Sequence, residues 1–167
     1  MIMTPMIVFL VFSLLVLLLC WLKPDAGRLF VGLYFLVMAL GVNGVLVLTN
    51  PAQFVALGTD APVVPLYRWA FEHVVVLAPA LFGLLAAAYE IGVGLLILSK
   101  GERVRWGLWG GIVFLLGITP LGVWTLANPV LALALIMLLR KRYEGSVLDM
   151  LRSRTPRDTH VAGVRRR

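Results

Sequence analysis

The chain has 167 residues, of which 61% are hydrophobic and only 14% charged, with a mean hydropathy of +0.98; a soluble domain carries about a quarter charged residues. Its formal charge of +7 lies beside apolar runs and in the C-terminal tail, where it serves topology and lipid headgroups and excludes nucleic acid as the expected partner. A lone cysteine, Cys20, excludes an internal disulfide and a CxxC redox pair. What remains is an all-α, polytopic transmembrane helical bundle, because about 20 apolar residues cross a bilayer as a helix and several such runs are present.

The first run, Met3 to Leu22, ends at Lys23-Pro24-Asp25, where proline stops the helix. It has no basic n-region, and Trp21-Leu22-Lys23-Pro24 is a poor cleavage site, so it is expected to be a retained span and not a signal peptide. The second span is expected over Arg28 to Thr49, stopping at Asn50-Pro51. Ala52 to Arg68, polar and proline-rich, reads as the one substantial extramembrane loop. A long third span, Trp69 to Leu98, ends at the basic turn Ser99 to Arg105.

The last apolar segment, Trp106 to Leu139, would be roughly 50 Å long as one helix, against about 30 Å of hydrocarbon. Pro120 and Asn128-Pro129 offer breaks, so two short spans, 106–121 and 125–140, are expected, with a tight turn between them. Five spans with the N-terminus outside place Lys23/Arg28, Lys100/Arg103/Arg105 and Arg140/Lys141/Arg142 all on the cytoplasmic side, as the positive-inside rule requires. Trp21, Trp106 and Trp109 then fall at the inner interface, and Trp69 and Trp124 at the outer one. The domain reading is a membrane domain over 1–142 and a basic cytoplasmic tail over 143–167, in a prokaryotic cytoplasmic membrane. Ser146-Val147-Leu148-Asp149 has helix-capping spacing, and the arginines from Arg152 to Arg167 suit anionic lipid headgroups.

Glu90 is the most informative residue, lying roughly 14 Å from the inner end of its span by helical rise. A carboxyl at that depth costs several kcal/mol unless neutral or paired, which makes it a functional candidate. Gly83, Ala86, Ala87 and Gly94 share its side of the helix and form a small-residue packing face. Asn43 is the second candidate, with Gly32, Leu36 and Ala39 on its side; Tyr34, level with Glu90, is the third. The plainer reading makes these three ligand-site candidates interhelical fasteners, at about 0.6 kcal/mol per hydrogen bond. Glu72 and His73, near Arg68, stand about five turns before Glu90 on the expected third span, as a charged mouth or an ordinary wetted helix end. His160 lies in the tail, so no histidine pair and no metal-ligand cluster is visible. Neither a phosphate-binding loop nor a hydrolase nucleophile elbow is present. Gly107, Gly110 and Gly111 read as close-packing positions.

From Ala26 to Arg142 the order of features resembles the DoxX-like family of small membrane proteins. The matching pieces are Gly27-Arg28-Leu29-Phe30-Val31-Gly32-Leu33-Tyr34-Phe35-Leu36, then Asn50-Pro51-Ala52-Gln53-Phe54, then Glu90-Ile91-Gly92-Val93-Gly94-Leu95-Leu96-Ile97-Leu98 before a basic turn and two further spans. The resemblance implies a four-helix DoxX-like core, to which Met3 to Leu22 adds one N-terminal helix, and a link to quinone-dependent or redox-stress functions. The chain departs from the family at Gly41-Val42-Asn43, where members often carry a lysine that would partner a buried glutamate.

Three functions follow as expectations. The first is a non-catalytic accessory or assembly subunit of a larger membrane complex, or a homo-oligomer, with no cofactor evident. The second is a quinone- or quinol-binding oxidoreductase subunit in which Glu90 handles protons and Tyr34 or Asn43 orients a carbonyl. The third is a small transporter or lipophilic-ligand binder. A cavity beside Glu90 favours the last two, and a carboxyl sealed by side chains favours the first.

Overall fold

The structure, a computed structural model, describes residues 3–147. The 146–149 capping motif runs beyond it, and the arginine tail with His160 lies outside the described residues. Every regular element among the described residues is helical. Helix α1 spans Met3–Leu22, α2 Pro24–Thr49, α3 Pro51–Thr59, α4 Pro65–His73, α5 Pro79–Leu98, α6 Glu102–Ile118 and α7 Asn128–Leu139. Proline stands in the first turn of α2, α3, α4, α5 and α7. There its missing N–H costs nothing and its fixed φ suits the helix. Prolines in this chain therefore set where helices begin. At α3 the Asn50 side chain completes the start, accepting the Gln53 N–H at 3.1 Å.

Two expectations change. The Ala52 to Arg68 stretch is not a loop but carries nearly all of α3 and the first turn of α4, which pack on each other. The third span is not continuous from Trp69: α4 ends at His73, a 3₁₀ turn covers Val75–Leu77, and α5 starts at Pro79. Proline drives the preceding residue out of the α region, and Ala78 sits at φ −152° and ψ 64°. Glu72 and Glu90 thus belong to different helices, and the charged mouth inferred from their shared helical side does not hold.

The hairpin expected within Trp106 to Leu139 is present. Thr119–Leu121 and Trp124–Ala127 are 3₁₀ turns separated by extended Gly122. Thr125 Oγ1 accepts the Gly122 N–H at 3.0 Å and lies 2.9 Å from the Thr119 carbonyl. Three helices are long and apolar enough to cross a membrane, Pro24–Thr49, Pro79–Leu98 and Glu102–Leu121, while Met6–Leu22 and Trp124–Leu139 are apolar but shorter.

Packing neighbours run α1, α2, α5, α6, α7 and back to α1, a closed ring. Small residues set the approach. A Cβ on Gly94 would lie 2.9 Å from the Gly32 carbonyl oxygen, and one on Gly107 would lie 2.7 Å from the Ile97 nitrogen. Contacts of backbone on backbone are how helices associate where no hydrophobic force separates them from lipid. The main core lies inside the ring, around Val31, Phe35, Ile97, Leu108 and Leu135. A second cluster of Val47, Phe54 and Val75 joins α3 and α4 to one end of the bundle.

The opposite end carries the basic clusters, and they converge. Lys141 Nζ reaches Asp25 at 2.8 Å. Gly101, at φ +64° where glycine is favoured, donates its N–H to the Tyr143 carbonyl at 2.7 Å. Arg28 is fully buried, donates to the Gly145 carbonyl at 3.1 Å, and stacks 4.5 Å from the Tyr143 ring centroid. Burial pushes the Tyr143 phenol up from its ordinary value, with the Arg28 guanidinium pulling partly back, so the ring faces Arg28 uncharged.

Arg28 Nε and Nη1 have no acceptor, which makes side-chain volume more important here than charge. Arg28→Ala is expected to cost about 3 kcal/mol through the vacated space and the lost ring contact. Arg28→Met, which keeps the stem and removes the orphaned donors, should cost about 1 kcal/mol. Equilibrium unfolding in mixed micelles measures both; an equal loss in the two variants would make the charge decisive.

Candidate functional site

The second helix is not uniform. Within α2, Ala39–Leu46 is π-helical, a wider turn that recurs at functional sites. This stretch carries Asn43, whose Nδ2 donates to Glu90 Oε2 on α5 at 2.5 Å. The two residues, 47 positions apart in sequence, are held together because α2 and α5 approach closely at Gly32 and Gly94. Glu90 is only 3% exposed. A carboxyl so buried needs a polar partner, and Asn43 supplies it.

The pair is not sealed by packing. Glu90 and Asn43 both line a cavity of about 350 Å³ whose walls come from α1, α2, α3, α4, α5, α6 and the α6–α7 turn. Its walls are mainly apolar and aromatic: Phe9, Phe54, Phe71, Phe114 and Trp124 contribute rings, and Met38 and Ala86 fill between them. Tyr67 and Thr125 add hydroxyls, but both are engaged, Tyr67 with the Gly117 carbonyl and Thr125 within its own turn. Glu90 and Asn43 are consequently the polar pair at the wall on the bundle side. A mostly apolar cavity of this size with a few convergent polar groups is the usual form of a small-molecule site.

One side of the cavity is a cover. Helix α4 has no buried residue, yet Phe71 packs in a tilted arrangement on Phe54 at 6.4 Å and presses on Gly58 of α3. Tyr67 and Phe71, four apart on one helical side, line the cavity while Arg68, Glu72 and His73 point to the exterior. His73 Nδ1 lies 2.9 Å from the Trp69 carbonyl, and the two rings stack. Neither Glu72 nor His73 is among the cavity residues.

Of the three residues singled out from sequence, the fold joins Glu90 and Asn43. Tyr34 instead packs at 5.7 Å on Phe12 of α1 and at 6.2 Å on Phe35, outside the cavity wall. Sequence reasoning missed Phe54, Tyr67, Phe71, Phe114 and Trp124. Tyr67 and Phe71 carried a signal in their spacing, but Tyr67 was assigned to the proline-rich loop and Phe71 to the start of the third span. Among the described residues no group of three or more His, Cys, Asp or Glu could hold a metal ion. No family model, curated protein or solved structure matches the chain.

Proposed function

We propose that this is a five-span integral membrane protein, N-terminus outside and C-terminus in the cytoplasm, which binds a flat lipophilic molecule bearing a hydroxyl or carbonyl, of the quinone or quinol class. The observation that carries this reading is the cavity beside Glu90: aromatic walls accept a ring, and the Glu90–Asn43 pair offers it one polar contact. In this reading Asn43 orients the carboxyl, and Glu90 receives or gives the hydrogen bond of the ligand's oxygen. Convergence of all three basic clusters at one end of the bundle supports the topology. It also supports counting α1 and α7 as spans despite their length, since both must then return to that end.

The same arrangement is consistent with a DoxX-like core of α2, α5, α6 and α7 closed by the added α1. An accessory-subunit role would be favoured by a carboxyl sealed on every side; its place on a cavity wall puts ligand binding first.

The test uses the purified full chain in mild detergent, with a short-tailed benzoquinone as probe and native mass spectrometry as readout. The wild type is expected to retain a small lipophilic molecule or take up the probe. Ala86→Phe, which puts a ring into the cavity, is expected to bind neither while keeping its unfolding midpoint within a few degrees. A wild type that binds neither, or an Ala86→Phe variant that binds as well as wild type, would overturn the reading.

A further inference from the structure

A second, separate concavity lies on the outside of the bundle, where α1 packs on α7. It has a volume of about 360 Å³ and is lined by Leu14, Leu17, Leu18 and Trp21 of α1, with Met137 and Arg140 at the end of α7. Four of its six residues form an unbroken apolar wall along the helices. The two that carry nitrogen donors, Trp21 and Arg140, sit at the basic end.

Leu14, Leu18 and Trp21 are exposed by 49%, 45% and 68%, so on the membrane-spanning reading this groove opens onto lipid. Its charge is not neutralised internally. Asp25, the acidic residue of the α1–α2 junction, is taken by Lys141 at 2.8 Å. Arg140 has no ion-pair partner among the described residues, and the other charged residues within four positions of Trp21 or Arg140 in the sequence are Lys23, Arg142 and Glu144, all exposed.

From this we propose that the α1–α7 groove is a binding site for an anionic phospholipid of the leaflet facing the basic end. One acyl chain lies along Leu14, Leu17, Leu18 and Met137, and the phosphate sits on the Arg140 guanidinium. An arginine offers a planar fork of donors that matches a phosphate, and an interfacial tryptophan places its indole N–H at headgroup level. The chemistry selects an anionic headgroup over a zwitterionic one because Arg140 has no ion-pair partner among the described residues and the charge balance around it there is positive. The lipid bridges the first helix to the last, across the seam where the ring of helices closes. This inference rests on the membrane-spanning part of the functional reading and not on the cavity ligand.

Delipidated full-length protein is titrated with phosphatidylglycerol and with phosphatidylcholine of the same chains, and bound lipid is counted by native mass spectrometry. Wild type is expected to prefer phosphatidylglycerol by about fivefold, the factor expected for one basic residue near a headgroup. Arg140→Gln should reduce that preference to parity, and Arg140→Lys should retain most of it. Arg103→Gln, an exposed cation at the same end but outside the groove, should leave it unchanged, as should Ala86→Phe, which closes only the inner cavity. Equal binding of the two lipids by wild type, or a preference that survives Arg140→Gln, would overturn the proposal. Loss of preference in Arg103→Gln as large as in Arg140→Gln would also overturn it, by showing diffuse attraction in place of a site.

Discussion

Glu90→Gln is expected to weaken binding of a short-tailed benzoquinol by about tenfold or more while costing less than about 1 kcal/mol of stability. Glutamine has nearly the same shape, and its amide oxygen can still accept from Asn43 Nδ2, which lies 2.5 Å from the Glu90 carboxyl in the wild type. What changes is the group offered to the ligand. In a cavity walled by phenylalanines, a ligand hydroxyl that loses its acceptor finds no water to replace it, and an unpaired buried polar group costs about 1–3 kcal/mol. Asn43→Leu should do the opposite in part. It strands the Glu90 carboxyl, 3% exposed, without its donor, so stability should fall by about 2 kcal/mol and binding should fall with it. A double-mutant cycle on ligand affinity and on unfolding free energy separates the two effects. If the pair only fastens helices, Asn43→Leu alone loses stability, and quenching of tryptophan fluorescence by a benzoquinone is the same in wild type and both variants. That outcome would remove the ligand site.

Gly107→Leu is expected to be the most damaging single change in the bundle, at about 3 kcal/mol or more. A Cβ there would stand 2.7 Å from the Ile97 backbone nitrogen and 2.8 Å from Leu96 Cβ. Flexible side-chain ends can move aside, but these atoms belong to the adjoining helix and its first side-chain carbon, so α5 and α6 must separate. Separation spreads to the Gly111 contact with Phe35 and Leu135, and hence to the main core. Gly92→Leu is the control: a Cβ there meets nothing within 4 Å, and its effect should lie within about 0.5 kcal/mol of zero. Equilibrium unfolding in mixed micelles compares the two. Similar losses in both would mean that helix α6 is not held against α5 by backbone contact.

These two predictions differ in how far sequence anticipates them. Gly107 and Gly111 were readable as packing positions because small residues one turn apart on an apolar helix have few other uses. Glu90 and Asn43 were each readable as candidates because polar groups amid apolar runs are costly and need a reason. Their pairing was not readable, because each could have faced any of four other helices.

The sequence by itself determined the helical class, the run boundaries at Pro24, Pro51 and Pro129, the hairpin in the last apolar segment and the small-residue faces around Glu90. All of these follow from local properties: hydropathy along a run, the missing N–H of proline, and the spacing that sets which residues share a helical side. Tertiary structure alone decided that α2 widens into a π-helix at Asn43, that the proline-rich stretch folds into α3 and α4, and that Phe54, Phe71, Phe114 and Trp124 meet around Glu90. It also decided that Tyr34 turns to Phe12 and not to the cavity. The physical reason is that a helix's own sequence fixes which residues lie on one side, whereas the neighbour against that side is set by close packing among helices far apart in the chain. A cavity is the space such packing leaves, and no single segment encodes it.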